Sequence, residues 1–410
     1  MGSIVVLGGA GGVGKVAVEA LTLIDGVDEV VVTDARADAA EAVVTELGGN
    51  RLRAASVDVT DTDALVALLR GADVVLNCVG PFYRFGPPTL RAAIAAGVGY
   101  VDICDDLDAT RALLDLDGEA RAAGVSALIG MGNSPGLANI FVKLCAEQLL
   151  DEVRSAEIMH IHGGEPSEGA AVLKHRIHAM VNDVPLYVDG HFIAVRQLEE
   201  SGAPFIHTED FPDLGPYPVY PYPHPETITL PRAFPSLRTA TNLGVVYPLS
   251  YFQMTQDLVR VGMGDYDPVP VGDTEIAPVD MAVALLQKAR PGLIAEAGIT
   301  EAGGCLRVIV GGTKDGEDHR FTLSLTSKGA GAGEGTGIPA ALGAALHQAG
   351  RLEDGPGVHP PETIVPVGEL LDLAAKVVGR MSIGDGKGLP LTIEHEAPDG
   401  TREVIPMALG

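Results

Sequence analysis

Hydrophobic and polar positions alternate in regular blocks along the first 130 residues. A β-branched run, Ser3 to Leu7, leads into Gly14 to Leu23, where apolar residues recur at helical spacing. The segments "EVVVTDAR", "RLRAASVDV" and "ADVVLNCVG" read as a second, third and fourth strand. Between the last two, "TDTDALVALLRG" reads as a helix capped by Thr60 or Thr62. A helix from about Pro88 to Ala96, the strand "YVDIC", a helical stretch through "DATRALLDLDGEARAAG" and the strand "SALIG" complete six strands by about residue 130. Strand and helix alternate throughout, so the expected architecture is α/β: a Rossmann-type, doubly wound parallel sheet with ligands beyond the carboxyl ends of its strands.

Past residue 150 the periodicity changes. "VRSAEIMHIHGG" reads as a strand and "EGAAVLKHRIHAMV" as a helix, whereas 203–235 is rich in Pro, Tyr and His and keeps no period. That span is expected to be an irregular loop, a lid or an oligomer arm, because Tyr217, Tyr220, Tyr222, His224 and Phe234 give it more ring surface than a linker carries. "LRVIVGGTKDGEDHRFTLSL" alternates on both sides of a turn and predicts a hairpin, hence a second, α+β domain with a mixed or antiparallel sheet. "GAGAGEGTG" reads as a hinge before the helix "IPAALGAAL", with Pro339 in its first turn, and "VGELLDLAAKVV" as an amphipathic helix. A final hairpin turns at Asp399-Gly400.

Length and charge narrow the possibilities. The 410 residues exceed what one core usually serves, and 46% hydrophobic content argues against disorder. With 55 acidic against 28 basic residues the formal net charge is −27, which repels phosphate backbones and anionic lipid, so neither nucleic acid nor membrane is an expected partner. Four scattered cysteines form no C-x-x-C pair; they predict a reducing, cytoplasmic setting and no metal centre. No stretch reaches the roughly 18 uninterrupted apolar residues of a span, and no signal peptide is evident.

The chemistry concentrates where the first strand meets its helix. Gly9, Gly11 and Gly14 fit G-x-G-x-x-G, with Ala10, Gly12 and Val13 completing the loop: a tight turn, a close approach to pyrophosphate, and close packing of helix on strand. Asp34 follows twenty residues after Gly14, at the end of the next strand, where a carboxylate meets the adenosine ribose. That favours NAD over NADP, although Arg36 could pair with a 2′-phosphate. Asp58 and Val59 are expected near adenine, and Cys78, Val79 and Gly80 near the nicotinamide. Asp58 has an equal alternative as a turn residue.

Five segments, "VLGGAGGVG", "LNCVGPFYRFG", "AAGVGYVDICDD", "GMGNSPGLANI" and "GTGIPAALGAALHQAGRLEDGPGVHPPE", resemble the saccharopine dehydrogenase and lysine 6-dehydrogenase superfamily. The resemblance implies a dinucleotide-binding domain over 1–130, a substrate-binding and dimerisation domain over 131–335, and C-terminal helices and hairpin over 336–410 packing back between them. It also implies a homodimer and reversible hydride transfer at the C–N bond of an amino acid, imine or opine. Some relatives of that group are enoyl reductases, and a non-catalytic NAD(P)-binding regulator is the third reading.

Hydride transfer to an imine needs a proton donor near nitrogen. Asp105 and Asp106 follow the fifth strand and are candidates, with helix capping as their alternative; Tyr83 and Asn133 could orient substrate. In the second domain His160, His162, Lys174, His175 and His178 form the richest basic cluster, with His162 and Lys174 the candidates for proton transfer. Arg84, Arg176, Arg232 and Arg238 are candidate carboxylate clamps.

Overall fold

The computed structural model describes residues 2–381 and 390–405. Its contacts divide the chain into two compact units, one of Met1–Asp151 with Ala332–Pro390, the other of Glu152–Gly331 with Leu391–Ile405. Residues 382–389 and 406–410 of the C-terminal segment expected over 336–410 lie outside the described residues.

The first unit begins with strands β1 (Ser3–Leu7), β2 (Glu29–Asp34), β3 (Leu52–Ser56), β4 (Val74–Asn77), β5 (Gly99–Asp102) and β6 (Ser126–Leu128). Helices α1 (Gly12–Thr22), α2 (Ala37–Leu47), α3 (Thr62–Leu69), α4 (Phe82–Ala96), α5 (Leu107–Leu114) and α6 (Asp117–Ala123) connect them, and α7 (Leu137–Leu144) follows. Strands β1, β2 and β4 are built on buried runs of Val, Ile and Leu, as strands covered on both faces must be. One feature of α4 departs from expectation: it starts at Phe82, not near Pro88, and holds Pro87 and Pro88 inside it. The early start is anchored because Arg84 and Phe85 donate their N–H groups to the carbonyl of Pro81 and Tyr83 donates to Asp106 Oδ2.

The second unit contains β7 (Glu152–Gly163), β8 (Val184–Val188), β9 (His191–Val195), β10 (His207–Phe211), β11 (Gly215–Pro221), β12 (Thr239–Tyr247), the small hairpin β13 (Val269–Val271) and β14 (Thr274–Ile276), then β15 (Gly303–Lys314) and β16 (Glu317–Lys328). Its helices are α8 (Ala170–Val181), α9 (Glu226–Ala233), α10 (Leu249–Arg260) and α11 (Pro278–Glu296). Much of the span 203–235, expected to be irregular, is therefore the hairpin β10–β11 and helix α9. All of β10 pairs with Gly215–Val219 of β11, whereas β12 meets β11 at Tyr220 and Pro221, so Pro216 and Pro218 lie on a stretch with a ladder on one edge among the described residues.

The chain then returns as α12 (Ala332–Gln348), β17 (Gly357–His359), α13 (Pro361–Ile364) and α14 (Val367–Met381) in the first unit, and β18 (Leu391–Glu396) with β19 (Arg402–Ile405) in the second. β17 adds parallel to β6, giving a seven-stranded, all-parallel sheet in the order β17-β6-β5-β4-β1-β2-β3. The doubly wound sheet expected from the alternation is thus present, extended by a strand from the far end of the chain. The second sheet has ten strands, runs β10-β11-β12-β7-β15-β16-β18-β19 with β8 and β9 joined through β12, and is mixed because β12 and β7 are parallel. Helices α8, α10 and α11 close one core over this sheet through Leu173, Ile177, Phe252, Val283 and Leu286.

Of the expected hinge "GAGAGEGTG", residues 332–337 form the first turns of α12 and only 329–331 precede it, and Pro339 lies inside that helix. Two of its glycines, Gly333 and Gly337, serve packing. A Cβ on Gly337 would stand 2.7 Å from the carbonyl of Val13, and one on Gly333 3.3 Å from that of Gly12, so α12 approaches α1 backbone to backbone.

Candidate active site

The glycine loop between β1 and α1 is built on bare backbone. Gly9 donates its N–H to the carbonyl of Thr33 at 2.8 Å, and Gly11 to that of Gly8 at 2.9 Å, which closes the turn before α1. A Cβ on Gly14 would lie 2.1 Å from the Gly8 carbonyl oxygen, and one on Gly9 2.9 Å from Val32. Gly8, absent from the spacing argument, has φ +71°, the left-handed region that glycine enters without strain. Gly11 and Gly12 are exposed where α1 begins, and Ala10 and Val13 are half-buried beside them. Amides of a first helical turn lack intrahelical acceptors, and the helix dipole adds positive potential there. The cradle therefore fits a diphosphate, and a side chain at Gly14 would abolish it.

Asp34 ends β2, half-buried, with Oδ1 accepting the N–H of Arg36 at 3.1 Å; Arg36 is exposed and precedes α2. Asp58 is exposed, and its Oδ1 accepts both the N–H and the hydroxyl of Thr60, at 2.9 and 2.7 Å. The hydroxyl contact first, then the amide, hold its carboxyl below the ordinary range. Neither expected threonine caps α3: Asp61 does, accepting from Ala64 at 3.0 Å. Val59 packs partly buried on the core of the first unit.

The ends of β4, β5 and β6 carry the remaining expected site residues of the first unit. Cys78 hydrogen-bonds through its N–H to Leu7, and a Cβ on Gly8 would touch the carbonyl of Cys78 and the side chain of Val79, each at 3.1 Å. The glycine loop and the 78–80 segment are thus neighbours. Burial, and then Asp102, push the Cys78 thiol up to about 12, which leaves it un-ionised. Tyr83 sits in the first turn of α4 with its side chain 40% exposed. Asp106, 6% exposed, accepts the Tyr83 N–H at 3.2 Å and so caps α4. Asp105 is half-buried in the same loop, and Asn133 half-buried in the 132–136 turn, where its carbonyl accepts from Ala138.

A residue that the sequence reading did not single out holds this region together. Asp102, the last residue of β5, is fully buried. Its Oδ1 accepts from the N–H groups of Cys104 at 3.0 Å and Gly130 at 2.7 Å, and its Oδ2 from the hydroxyl of Tyr100 at 2.9 Å. Burial raises its carboxyl to about 6, against the pull of these hydrogen bonds. Only a polar residue at the end of an otherwise apolar strand, "YVDIC", hinted at it.

In the second unit the basic cluster divides. His160 on β7 stacks on His224, with ring centroids 5.0 Å apart, and Tyr222 meets both edge-on. It fits because its neighbour on β12 is Gly244, where a Cβ would lie 2.2 Å from the imidazole. Burial lowers His160 to about 3 and His224 well below the usual histidine range, so both are neutral. His162 is half-buried beside Glu165, Arg176, Glu168 and Arg290, and burial lowers it too. Lys174 pairs with Asp280 of α11 at 2.7 Å, and His178 lies on the surface beside Asn182. Arg176 and Arg290, each 1% exposed, converge on Glu168. Arg84 lies over the ring of Phe85, and Arg238 donates to the carbonyl of Asp189. Of the four expected clamps, then, Arg176 is committed to an internal carboxylate.

With this geometry in view, residues 4–128 match the family model described as the saccharopine dehydrogenase NADP binding domain. Over that span the first unit is similar to the saccharopine dehydrogenase NADP binding domain. Around that domain, the chain is 24% identical to a carboxyaminopropylagmatine dehydrogenase of Synechocystis sp. over 383 residues, covering 88% of this chain and 93% of that protein. It is 26% identical to a carboxynorspermidine synthase of Vibrio cholerae over 345 residues, covering 75% and 78%. The apo saccharopine dehydrogenase (L-Glu forming) of Saccharomyces cerevisiae superposes with a TM-score of 0.68 over 99% of this chain and 100% of that one, at 17% identity, a likeness of fold. The two-unit α/β fold and the saccharopine dehydrogenase-type domain expected from the sequence are both present.

Proposed function

We infer that the protein is an NAD(P)-dependent oxidoreductase that transfers a hydride at the C–N bond of an amino acid, imine or opine. The observation that carries this reading is the glycine loop, which packs so closely on α1 that a Cβ at Gly14 would collide with the Gly8 carbonyl and displace the turn, within a saccharopine dehydrogenase-type domain. The bound nicotinamide supplies or accepts the hydride. The chain's own part is to hold the dinucleotide at the strand ends, exclude water and move a proton at the substrate nitrogen. We assign that proton to Asp105, half-buried in the loop just past the end of β5. The names carboxyaminopropylagmatine dehydrogenase and carboxynorspermidine synthase support an amine substrate that bears a carboxyl group.

Cofactor choice turns on two side chains. Asp34 at the end of β2 is the reason for expecting NAD, while the description of the matched domain and the exposed Arg36 speak for NADP. Asp34→Ala is expected to raise tolerance of NADPH; an unchanged ratio of NADH to NADPH dissociation constants removes Asp34 from the ribose. We further propose a cytoplasmic homodimer, tested by light scattering of the purified chain; no described helix is long and apolar enough to cross a membrane.

The deciding experiment is a panel of diamines, basic amino acids and opine precursors, each followed by the absorbance of reduced nicotinamide with both cofactors. A second reading, an enoyl reductase, has one observation in its favour, 26% identity over 237 residues to a trans-acting enoyl reductase of Mycobacterium leprae. Oxidation of NADPH by an unsaturated acyl compound, with no response to amines or imines, selects it.

A further inference from the structure

A single hydrogen-bonded string links the three strand ends that face the nicotinamide half of a dinucleotide in this fold. It begins at the backbone of Val79, whose N–H is accepted by Asn77 Oδ1 at 3.0 Å. Asn77 Nδ2 donates to the phenolic oxygen of Tyr100 at 3.1 Å, and that hydroxyl donates to Asp102 Oδ2. The other carboxylate oxygen takes the N–H groups of Cys104, just past β5, and of Gly130, just past β6, while the Asp102 carbonyl accepts from Met131 at 2.7 Å. Asn77, Tyr100 and Asp102 are all fully buried.

We propose that Asp102 is a positioning residue, which through Tyr100 and Asn77 sets the 78–80, 103–106 and 130–131 segments as one platform for the nicotinamide half of the cofactor. The proposal rests on the oxidoreductase reading. Its logic is one of donors and acceptors. An ionised carboxylate only accepts, and four lone-pair sites meet three donors here. Tyr100 already accepts from Asn77, so its proton has one place to go, Asp102 Oδ2. An apolar side chain at 102 would satisfy packing but leave two buried amides without acceptors. Asparagine would keep the amides of Cys104 and Gly130 and aim its NH2 at a phenolic oxygen that already receives Asn77. The string would then break on the side that leads to Val79, next to Gly8 of the glycine loop.

The test uses two probes that share the adenosine half. ADP-ribose, or its 2′-phosphate where NADPH is the better cofactor, reports on the glycine loop and Asp34; NAD(P)H adds the nicotinamide. Calorimetry on wild type, Asp102→Asn and Tyr100→Phe is expected to give the same ADP-ribose affinity in all three, with NAD(P)H weakened about tenfold in both variants, the equivalent of one hydrogen bond's worth of alignment. Tyr100→Phe keeps the carboxylate and removes one hydroxyl, so it serves if Asp102→Asn does not fold. Equal weakening of both ligands would mark a merely structural role and overturn the proposal, as would NAD(P)H binding that neither variant alters. Wild-type protein that binds neither ligand would instead overturn the oxidoreductase reading beneath it.

Discussion

Replacing Glu168 by Gln tests the internal electrostatics of the second unit. Four hydrogen bonds converge on this carboxylate: two from Arg176 Nη1 and Nη2, one from Arg290 Nη1 at 3.2 Å and one from the hydroxyl of Tyr251 at 3.0 Å. The side chain of Glu168 is only 8% exposed, and both guanidiniums are 1–2% exposed. Burial alone would raise its carboxyl, but Arg176 and then Arg290 outweigh burial and hold it at about 2, against an ordinary 4.5. That difference corresponds to roughly 3 kcal/mol of stability at neutral pH. The sign follows from proton counts. Between about 2 and 4.5 the unfolded chain binds more protons than the folded one, so the contribution is complete above pH 4.5 and disappears as pH falls through 2.

A second route gives a similar magnitude. Removing one partner of a buried pair leaves an uncompensated charge and costs about 3–5 kcal/mol. Glutamine keeps one acceptor oxygen and turns an NH2 toward guanidinium groups. Glu168→Gln is therefore expected to lower the unfolding free energy of the second unit by about 3–5 kcal/mol at pH 7.5, and the gap to wild type is expected to narrow as pH drops below 4.5. Urea unfolding followed by far-UV circular dichroism measures it, and the lack of tryptophan in the chain makes dichroism the suitable signal. A loss under about 1 kcal/mol would show that water or neighbouring carboxylates already compensate Arg176 and Arg290, and would refute the reasoning.

Further outcomes are open to simple assays. Gly14→Ala, whose Cβ would stand 2.1 Å from the Gly8 carbonyl oxygen, is expected to abolish NADH and NADPH binding in fluorescence titrations while the second unit unfolds as before. Gly244→Ala forces the His160 imidazole off His224 and is expected to cost about 1–3 kcal/mol in thermal unfolding, the usual cost of overpacking. With the Cys78 thiol pushed up to about 12 and Cys305 to about 11, iodoacetamide is expected to leave the native protein unmodified at pH 8; rapid alkylation of Cys78, seen by mass spectrometry, would contradict that burial.

The parts of the fold legible in the sequence were those with a local cause. G-x-G-x-x-G is such a case, since the oxygen that excludes a Cβ at Gly14 belongs to Gly8, six residues earlier. Alternating strands and helices likewise disclosed the parallel sheet through β6. The seventh strand did not announce itself, because Gly357 finds its ladder partner at Ser126, on the far side of the whole second unit in sequence. For the same reason Gly333 and Gly337 of α12 looked like part of a hinge: what they meet is the backbone of α1, remote in sequence.

Polar burial was the hardest feature to foresee, and it is where the proposed chemistry concentrates. Asp102 offers no motif, because Tyr100 and Cys104 flank it while Gly130 and, through Tyr100, Asn77 come from two other chain segments, and the set meets only when β4, β5 and β6 lie side by side. An isolated carboxylate in that interior would cost several kcal/mol, and a strand of Val and Ile would carry no such cost. The fold accepts the penalty where an ordinary core would avoid it. A residue of that kind is best explained by what it holds in place, and here that is the set of strand ends where a dinucleotide's reacting ring belongs.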